Sequence, residues 1–253
     1  MNADDTRRAF LTIAGAGAGA LLAACRRETR AEPEPAAPPL PSARAGTDAP
    51  KTSDIGEDVS ATEDLMREHG VFRRILVVYR LSAAHLRAKP ASVPLDSLQR
   101  AAKLMHTFGE EYHEKQLEEA YLFPAVKKAG GAAADEIDTL LAQHQRGREI
   151  TDYILAVTQK TLGRGAEPLA QSLEAFALMY EEHAAREDTI VFPAWKKVLS
   201  PKQVDEMGEL FEEIEHKTFG KDGFDDAVEQ IGAIEHSMGL NNAALTAPPP
   251  PKP

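Results

Sequence analysis

The sequence predicts an all-α protein whose central part is an antiparallel four-helix bundle. Apolar residues recur three and four positions apart over long stretches, and alternating β-branched runs are almost absent. Gly and Pro interrupt this periodicity only at wide intervals. Long helices that are joined by short links favour an antiparallel bundle.

The first 25 residues are typical of an export signal. Arg7 and Arg8 precede an apolar run that is too short to span a membrane, and residues 22–25 read Leu-Ala-Ala-Cys. The arginine pair resembles a twin-arginine signal, and the last four residues resemble a lipobox, in which the cysteine becomes lipidated. We therefore expect an exported lipoprotein that faces the periplasm or cell envelope and meets the membrane only through Cys25. An anchoring helix with an incidental Cys25 is the alternative.

Segments without apolar periodicity flank the expected domain. Residues 26–57 are rich in Pro, Ala, Glu and Arg, which predicts a disordered tether. Residues 241–253 end in a run of prolines and are expected to be a disordered tail. Residues 58–240 are left to form the helical bundle.

Four long helices and two shorter ones are predicted within this domain. The predicted spans are residues 60–87 (helix A), 95–128 (helix B), 133–162 (helix C), 168–199 (helix D), 201–218 and 224–238. Gly130-Gly131 and the Gly-Arg-Gly of residues 163–165 are turn signals between the long helices.

An internal repeat relates the two halves of the bundle. Residues 118–128 of helix B and 187–197 of helix D both begin with an acidic pair and contain Phe-Pro followed by two lysines. Helices A and C match more weakly, because each carries a histidine with an arginine four positions later. The chain is thus predicted to be a duplicated helical hairpin.

Each long helix carries a histidine, and most of these fall on the apolar face. Residues three and four apart share one side of a helix, which aligns His69 with apolar neighbours in helix A and both His183 and Glu187 in helix D. Helix C contributes His144 and helix B contributes His113. Buried histidines and carboxylates are costly unless they are paired or bound to a cation, so a single shared metal site would satisfy them all.

The donor types restrict the metal. Imidazole and carboxylate groups, with no cysteine in the domain, suit iron, manganese or zinc. Calcium prefers oxygen donors alone, and copper(I) prefers thiolates.

These residues resemble the hemerythrin or HHE cation-binding family over about residues 58–220. The resemblance implies a non-haem di-iron site held by His69, His113, His144 and His183. It further implies that acidic residues of helices B and D bridge the irons. The bridging candidates are Glu118 or Glu119 in helix B and Glu187 or Asp188 in helix D. The function implied is the binding or sensing of O₂ or a related small oxidant such as NO or peroxide.

The chain departs from the family pattern in helices B and C. The family often has a second histidine four residues along helix C, where this chain has Arg148, so at least one iron would have fewer nitrogen ligands. His106 or Glu110 in helix B would replace that ligand or orient another one. His216 is a possible cap of the site, whereas His85 and His236 are expected at the surface.

The spacing in helix B predicts a local irregularity. His113 and Glu118 are five residues apart, which places them about 140° apart around an ideal α-helix. We therefore predict a π-bulge of one wide turn between Tyr112 and Glu118, with the extra residue near Gln116. In the alternative, an unbroken α-helix would present Glu114 and Glu118 as the ligands, and His113 would turn aside.

Other functions are less well supported. The net charge of −11 argues against a nucleic-acid partner. The same metal site would also suit a di-iron redox enzyme that turns over peroxide or NO. A metal-free helical scaffold of the cell envelope is a third hypothesis. The sequence does not indicate an oligomeric state.

Overall fold

The computed structural model describes residues 59–159, 166–241, 243 and 245–251. The predicted signal and tether, including Cys25, and the turn at residues 163–165 lie outside the described residues. Within the described part every regular element is helical, which confirms the all-α fold. None of the described helices is both long enough and apolar enough to cross a membrane.

The helices follow the predicted order with small differences at their ends. Helix A is α1, and helix B is built from α2, a π-helical segment that we call π1, and α3. Helix C is α4, and helix D is built from α5, a second π-helical segment that we call π2, and α6. The bounds are α1 Ala61–Ala88, α2 Leu95–Leu104, π1 Met105–Leu122, α3 Phe123–Ala129, α4 Ala132–Thr158, α5 Ala166–Arg186, π2 Glu187–Val191, α6 Phe192–Val198, α7 Pro201–Phe219 and α8 Gly223–Ser237.

Polar pairs show that neighbouring long helices run antiparallel. Near the end of α1, Arg87 donates to Glu167 at the start of α5 (3.0 Å). In helices C and D, His183 pairs with Gln143 (2.9 Å). Three residues further along helix D, Arg186 lies 3.6 Å from Glu136, which precedes Gln143 by seven residues. Neighbouring helices therefore run in opposite directions, and their histidines lie at the same level of the bundle.

Helix B contains a long π-helical segment rather than a single wide turn. In π1, the 18 residues Met105–Leu122 have the wider π winding, and the Phe123 N–H bonds to the Glu118 carbonyl five residues back. The Gln116 side chain reaches the Glu111 carbonyl (3.0 Å). Helix D also has a π turn, π2, which ends where the Phe192 N–H bonds to the Glu187 carbonyl. The irregularity was correctly predicted for helix B, but its length and its counterpart in helix D were not.

Turns at the ends of helices use residues suited to them. Gly130 and Gly131 have φ of 74° and 82°, a region that favours glycine, and they link α3 to α4. Ser200 precedes Pro201 and caps α7, and its N–H donates to the side chain of Gln203 (2.9 Å).

The two short C-terminal helices pack on helices A and B. Arg74 of α1 donates two hydrogen bonds to Glu235 of α8, of 2.9 and 2.6 Å. The ring of Phe219 in α7 meets that of Tyr112 in π1 with centroids 5.2 Å apart. This extension covers the outer side of the bundle beside His113.

Candidate metal centre

Four buried histidines, one from each long helix, point their Nε2 atoms into the bundle in two pairs. The Nε2 atoms of His69 and His113 lie 3.2 Å apart. Those of His144 and His183 lie 3.0 Å apart. All four residues are at most 3% exposed. Donor atoms about 2.1 Å from a common ion lie about 3.0–3.4 Å from one another, so each pair has the spacing of two ligands of one metal.

Two glutamates each face both histidine pairs. Glu118 places Oε1 3.3 Å from His113 Nε2 and Oε2 3.3 Å from His144 Nε2. Glu187 places Oε2 3.5 Å from His69 Nε2 and Oε1 3.1 Å from His183 Nε2. Each carboxylate therefore presents one oxygen to each pair, as a ligand that bridges two ions does.

These carboxylate oxygens have no hydrogen-bond donor. Both oxygens of Glu118 and both of Glu187 are buried without a partner. Both side chains are 0% exposed. A buried carboxylate without a partner destabilises the folded protein by about several kcal/mol unless a cation compensates its charge. The donor set therefore fits bound metal better than it fits a metal-free core.

The outer nitrogen of every histidine is already engaged. Nδ1 of His69 faces Asp188 (2.7 Å) and that of His144 faces Glu119 (2.9 Å). Nδ1 of His113 faces Glu68, and that of His183 faces Gln143 (2.9 Å). When Nδ1–H donates to an acceptor, Nε2 carries the free lone pair, which is the arrangement of metal-ligating histidines.

The electrostatics of the cluster also point to a missing positive charge. Burial alone would raise the pKa of Glu118, but without a metal the charges of His113 and His144 hold it well below its ordinary range. Burial, and then the charge of Glu118, raise the pKa of Glu187 well above its ordinary range. Burial and the nearby His144 lower the pKa of His183 to about 3, so that this ring stays neutral and free to coordinate.

A small cavity adjoins the cluster. Its volume is about 10 Å³, close to the space that one water molecule needs. It lies against three of the four histidines and both glutamates, and its other walls include the apolar Phe72, Leu76 and Ala184. The lining residues are His69, Phe72, Arg73, Leu76, His113, Glu114, Glu118, Tyr180, His183, Ala184 and Glu187.

The comparisons with known proteins agree with this geometry. A family model for the hemerythrin HHE cation-binding domain matches residues 60–195. The chain belongs to this family. The resemblance seen in the sequence, and the bundle expected from it, are thereby confirmed.

Relatives occur in mycobacteria. Uncharacterised proteins of Mycobacterium bovis and of two strains of Mycobacterium tuberculosis are each 40% identical to this chain over 247 residues. Each alignment covers 96% of this chain and 91% of the relative. No solved structure is significantly similar to this chain.

The structure separates the remaining predicted site residues from the hemerythrin-type cluster. Asp188 and Glu119 lie behind His69 and His144, on the Nδ1 side, and not between the histidine pairs. His106 has a side chain that is 40% exposed and contacts Glu110, so it is not brought into the cluster. His85 and His236 are exposed, as expected. His216 is also exposed and lies outside the cluster.

Glu114 has a different set of partners. It accepts hydrogen bonds from Tyr180 (2.6 Å) and from Arg148 (2.9 Å). With Glu119 and His144 it forms a third group with metal-ligand spacing, but the guanidinium of Arg148 already bonds both Glu114 and Glu119. Arg148, at the place of the family's second helix-C histidine, thus supplies the cation there. Since His113 turns inward, the alternative with Glu114 in its place is wrong.

Several residues of the site were not predicted from the sequence. Glu68 and Gln143 hold the Nδ1 atoms of His113 and His183, and each directly precedes another histidine of the cluster. Arg73 pairs with Asp188 in the same way as Arg148 pairs with Glu119. The weak repeat between helices A and C contains these four positions and was the available signal.

Proposed function

We propose that this chain is a non-haem di-iron protein that binds a small oxidant. The His69–His113 pair would hold one iron and the His144–His183 pair the other, with Glu118 and Glu187 as bridges. Reduced iron held by such residues supplies electrons to O₂, NO or peroxide. The observation that carries the proposal is the set of four buried carboxylate oxygens without donors that face two close pairs of histidine Nε2 atoms.

The choice of iron rests on the donor set and on the family. Two imidazoles and two carboxylate oxygens for each ion suit iron, manganese and zinc, and the likeness to hemerythrin favours iron among them. The residues themselves prepare the site: Asp188, Glu68, Glu119 and Gln143 fix the ring orientation of the four histidines. Fixed rings present their lone pairs without any rearrangement on binding.

The choice of a small ligand rests on the cavity. A space of about 10 Å³ beside the cluster is close to that of one water molecule, so it suits a ligand of that size better than an organic substrate. Phe72, Leu76 and Ala184 make much of its wall apolar, which limits the access of bulk water to the site. This arrangement suits an uncharged diatomic ligand or peroxide.

A redox enzyme is the second candidate, and the residue at position 148 favours it. Because Arg148 stands where the family often has a histidine, only four histidines remain, and they divide two and two between the metal positions. Fewer protein ligands leave more open coordination positions on each metal, and a substrate can bind there. The same site would then turn over peroxide or NO with an external electron donor.

One experiment separates binding from turnover. The full chain is loaded with iron(II) without oxygen and exposed to substoichiometric O₂ or peroxide, and its absorption spectrum is followed. A spectral change that reverses on removal of O₂ and consumes no reductant supports binding. Repeated consumption of oxidant with a reductant supports the enzyme. No spectral change in the wild-type protein, or the same change in His183→Ala, would exclude both.

We further propose that the protein acts in the cell envelope as a lipoprotein attached through Cys25. The support is the Leu-Ala-Ala-Cys sequence at residues 22–25 and the arginine pair before it. Cys25→Ser is expected to release the protein from the membrane fraction or to block its processing. Replacement of Arg7 and Arg8 by lysine is expected to stall export separately. Unchanged fractionation of Cys25→Ser would refute the lipid anchor.

A further inference from the structure

The two halves of the duplicated hairpin support their histidines in nearly the same way. On one side, His69 Nδ1 pairs with Asp188, which Arg73 also contacts. On the other, His144 Nδ1 pairs with Glu119, which Arg148 also contacts. Each of these histidines thus has a carboxylate behind it that an arginine partly neutralises.

The symmetry fails at the remaining two histidines. His113 Nδ1 donates to the carboxylate of Glu68, whereas His183 Nδ1 donates to the amide oxygen of Gln143 (2.9 Å). Glu68 and Gln143 occupy equivalent places, each immediately before the histidine of its own helix. One half therefore has an anion where the other has a neutral group.

Within the described residues, His113 is the only basic side chain that pairs with Glu68. Glu68 is 0% exposed, and in the described part of the chain no lysine or arginine lies within ion-pair distance of it. An imidazole whose N–H donates to a carboxylate is a more basic ligand than one whose N–H donates to an amide. The His113 ring is consequently the stronger donor of the two.

A third carboxylate does not cancel this difference. Glu114 Oε2 lies 3.9 Å from His144 Nδ1, beyond hydrogen-bond distance. Its oxygens accept instead from Tyr180 and Arg148, so its charge is shared with a guanidinium. It does not bond to the ring of His183, which keeps only its neutral partner Gln143.

We infer that Glu68 and Gln143 make the two metal positions unequal, with Glu68 strengthening the His69–His113 position relative to the His144–His183 position. Both are positioning residues, because they act through histidines and do not reach the ions themselves. The inference rests on the proposed di-metal function. It assigns to Glu68 a role in favouring the ion of higher charge at the first position.

Exchange of the two side chains tests the inference with matched variants. The full-length wild type, Glu68→Gln, Gln143→Glu and the double exchange are each loaded with less than one equivalent of cobalt(II). Anomalous diffraction then gives the occupancy of each position. In each single variant, the ratio of cobalt occupancy at His69–His113 to that at His144–His183 should fall about tenfold. A change in the hydrogen-bond partner of a ligating histidine alters metal affinity by about this factor. The double exchange should shift it about a hundredfold, because the two changes act on different positions.

The reduction potential gives a readout that a merely structural effect would not reproduce. In the iron-loaded protein, Glu68→Gln removes an anion and should raise the midpoint potential, and Gln143→Glu adds one and should lower it. A tenfold change in the one-electron equilibrium corresponds to about 59 mV. The double exchange restores the total charge, so its potential should return toward the wild-type value while its cobalt ratio moves furthest.

The outcomes distinguish this inference from the proposed function. If the wild type binds no metal at these histidines, the di-metal function itself fails. If metal binds and the ratio does not move in the variants, only the inequality fails. A shift toward His69–His113 in Gln143→Glu, or potentials that move in the same direction in both single variants, would also overturn it.

Discussion

Tyr180 donates a 2.6 Å hydrogen bond to Glu114 Oε1, and this contact is possible because Gly147 of helix C has no side chain. A Cβ at position 147 would lie 2.1 Å from the Tyr180 hydroxyl oxygen. Tyr180 and Glu114 both line the small cavity beside the histidine pairs. A glycine in helix C therefore fixes part of the cavity wall.

Gly147→Ala is expected to destabilise the protein. The added methyl group must displace the Tyr180 ring from a closely packed place, which costs about 1–3 kcal/mol, and urea unfolding measures the loss. Gly208→Ala in α7 is the control, because no atom lies within 4 Å of its added Cβ. That variant should gain up to about 1 kcal/mol from helix propensity. Equal stability of the two variants would show that Tyr180 does not depend on Gly147.

Arg148→Gln is expected to lower stability more than a comparable change on the same helix. Arg148 is 17% exposed and bonds Glu114 (2.9 Å) and Glu119 (2.5 Å), so its loss leaves two carboxylates without their cation. We expect a loss of about 1–3 kcal/mol in thermal or urea unfolding.

The matched control for Arg148 is Arg146→Gln. Arg146 pairs with Glu149 at 2.6 Å, but the two side chains are 64% and 47% exposed. Such a surface pair contributes at most about 1 kcal/mol. If both variants lose the same stability, Arg148 is an ordinary surface arginine and not the cation of the third acidic group.

Stability should fall as the pH rises from about 4 to 8, because two carboxyl groups, one in α1 and one in α7, hold protons more tightly when the protein is folded. Burial and the nearby Glu68 raise the pKa of Asp64 to about 7. Burial raises the pKa of Glu215 to about 8, although the Phe224 N–H opposes it. The folded state therefore binds more protons than the unfolded state across this range, and the contribution is lost as pH passes the folded pKa values.

Asp64→Asn combined with Glu215→Gln isolates this effect from the titration of other groups. The free energy of unfolding, measured by urea at pH 5 and pH 8, should drop less in the double variant than in the wild type. An equal drop in both proteins would assign the pH dependence to groups elsewhere.

The sequence was sufficient for the fold because each helix repeats its apolar pattern over many turns. The predicted start of helix B at Leu95 and of α7 at Pro201 agree with the structure, since turn and capping residues mark them. Helix C is described as far as Thr158, and its predicted end at Leu162 lies outside the described residues. Such local signals set helix ends only within a few residues.

The candidate site was predicted less completely, because spacing shows which face a residue occupies but not which atom it turns toward a neighbour. His113 and Glu118 were paired through the predicted irregularity of helix B. The acidic pairs Glu118-Glu119 and Glu187-Asp188 left two candidate ligands in each helix. The structure shows that the first member of each pair faces the Nε2 atoms of the histidine pairs. The second member faces the Nδ1 atom of His144 or of His69. The roles of Glu68 and Gln143 depend on contacts between helices, which periodicity within one helix does not encode.

The metal content of the purified full chain tests the paired site most directly. Wild-type protein from iron-replete cells should contain about two irons per chain. His69→Ala and His183→Ala should each lose both ions, because Glu118 and Glu187 each face both histidine pairs. His85→Ala, an exposed histidine on the same helix as His69, should keep both. A wild-type content near one iron, zinc in place of iron, or retention of one ion in either variant would contradict a bridged di-iron site.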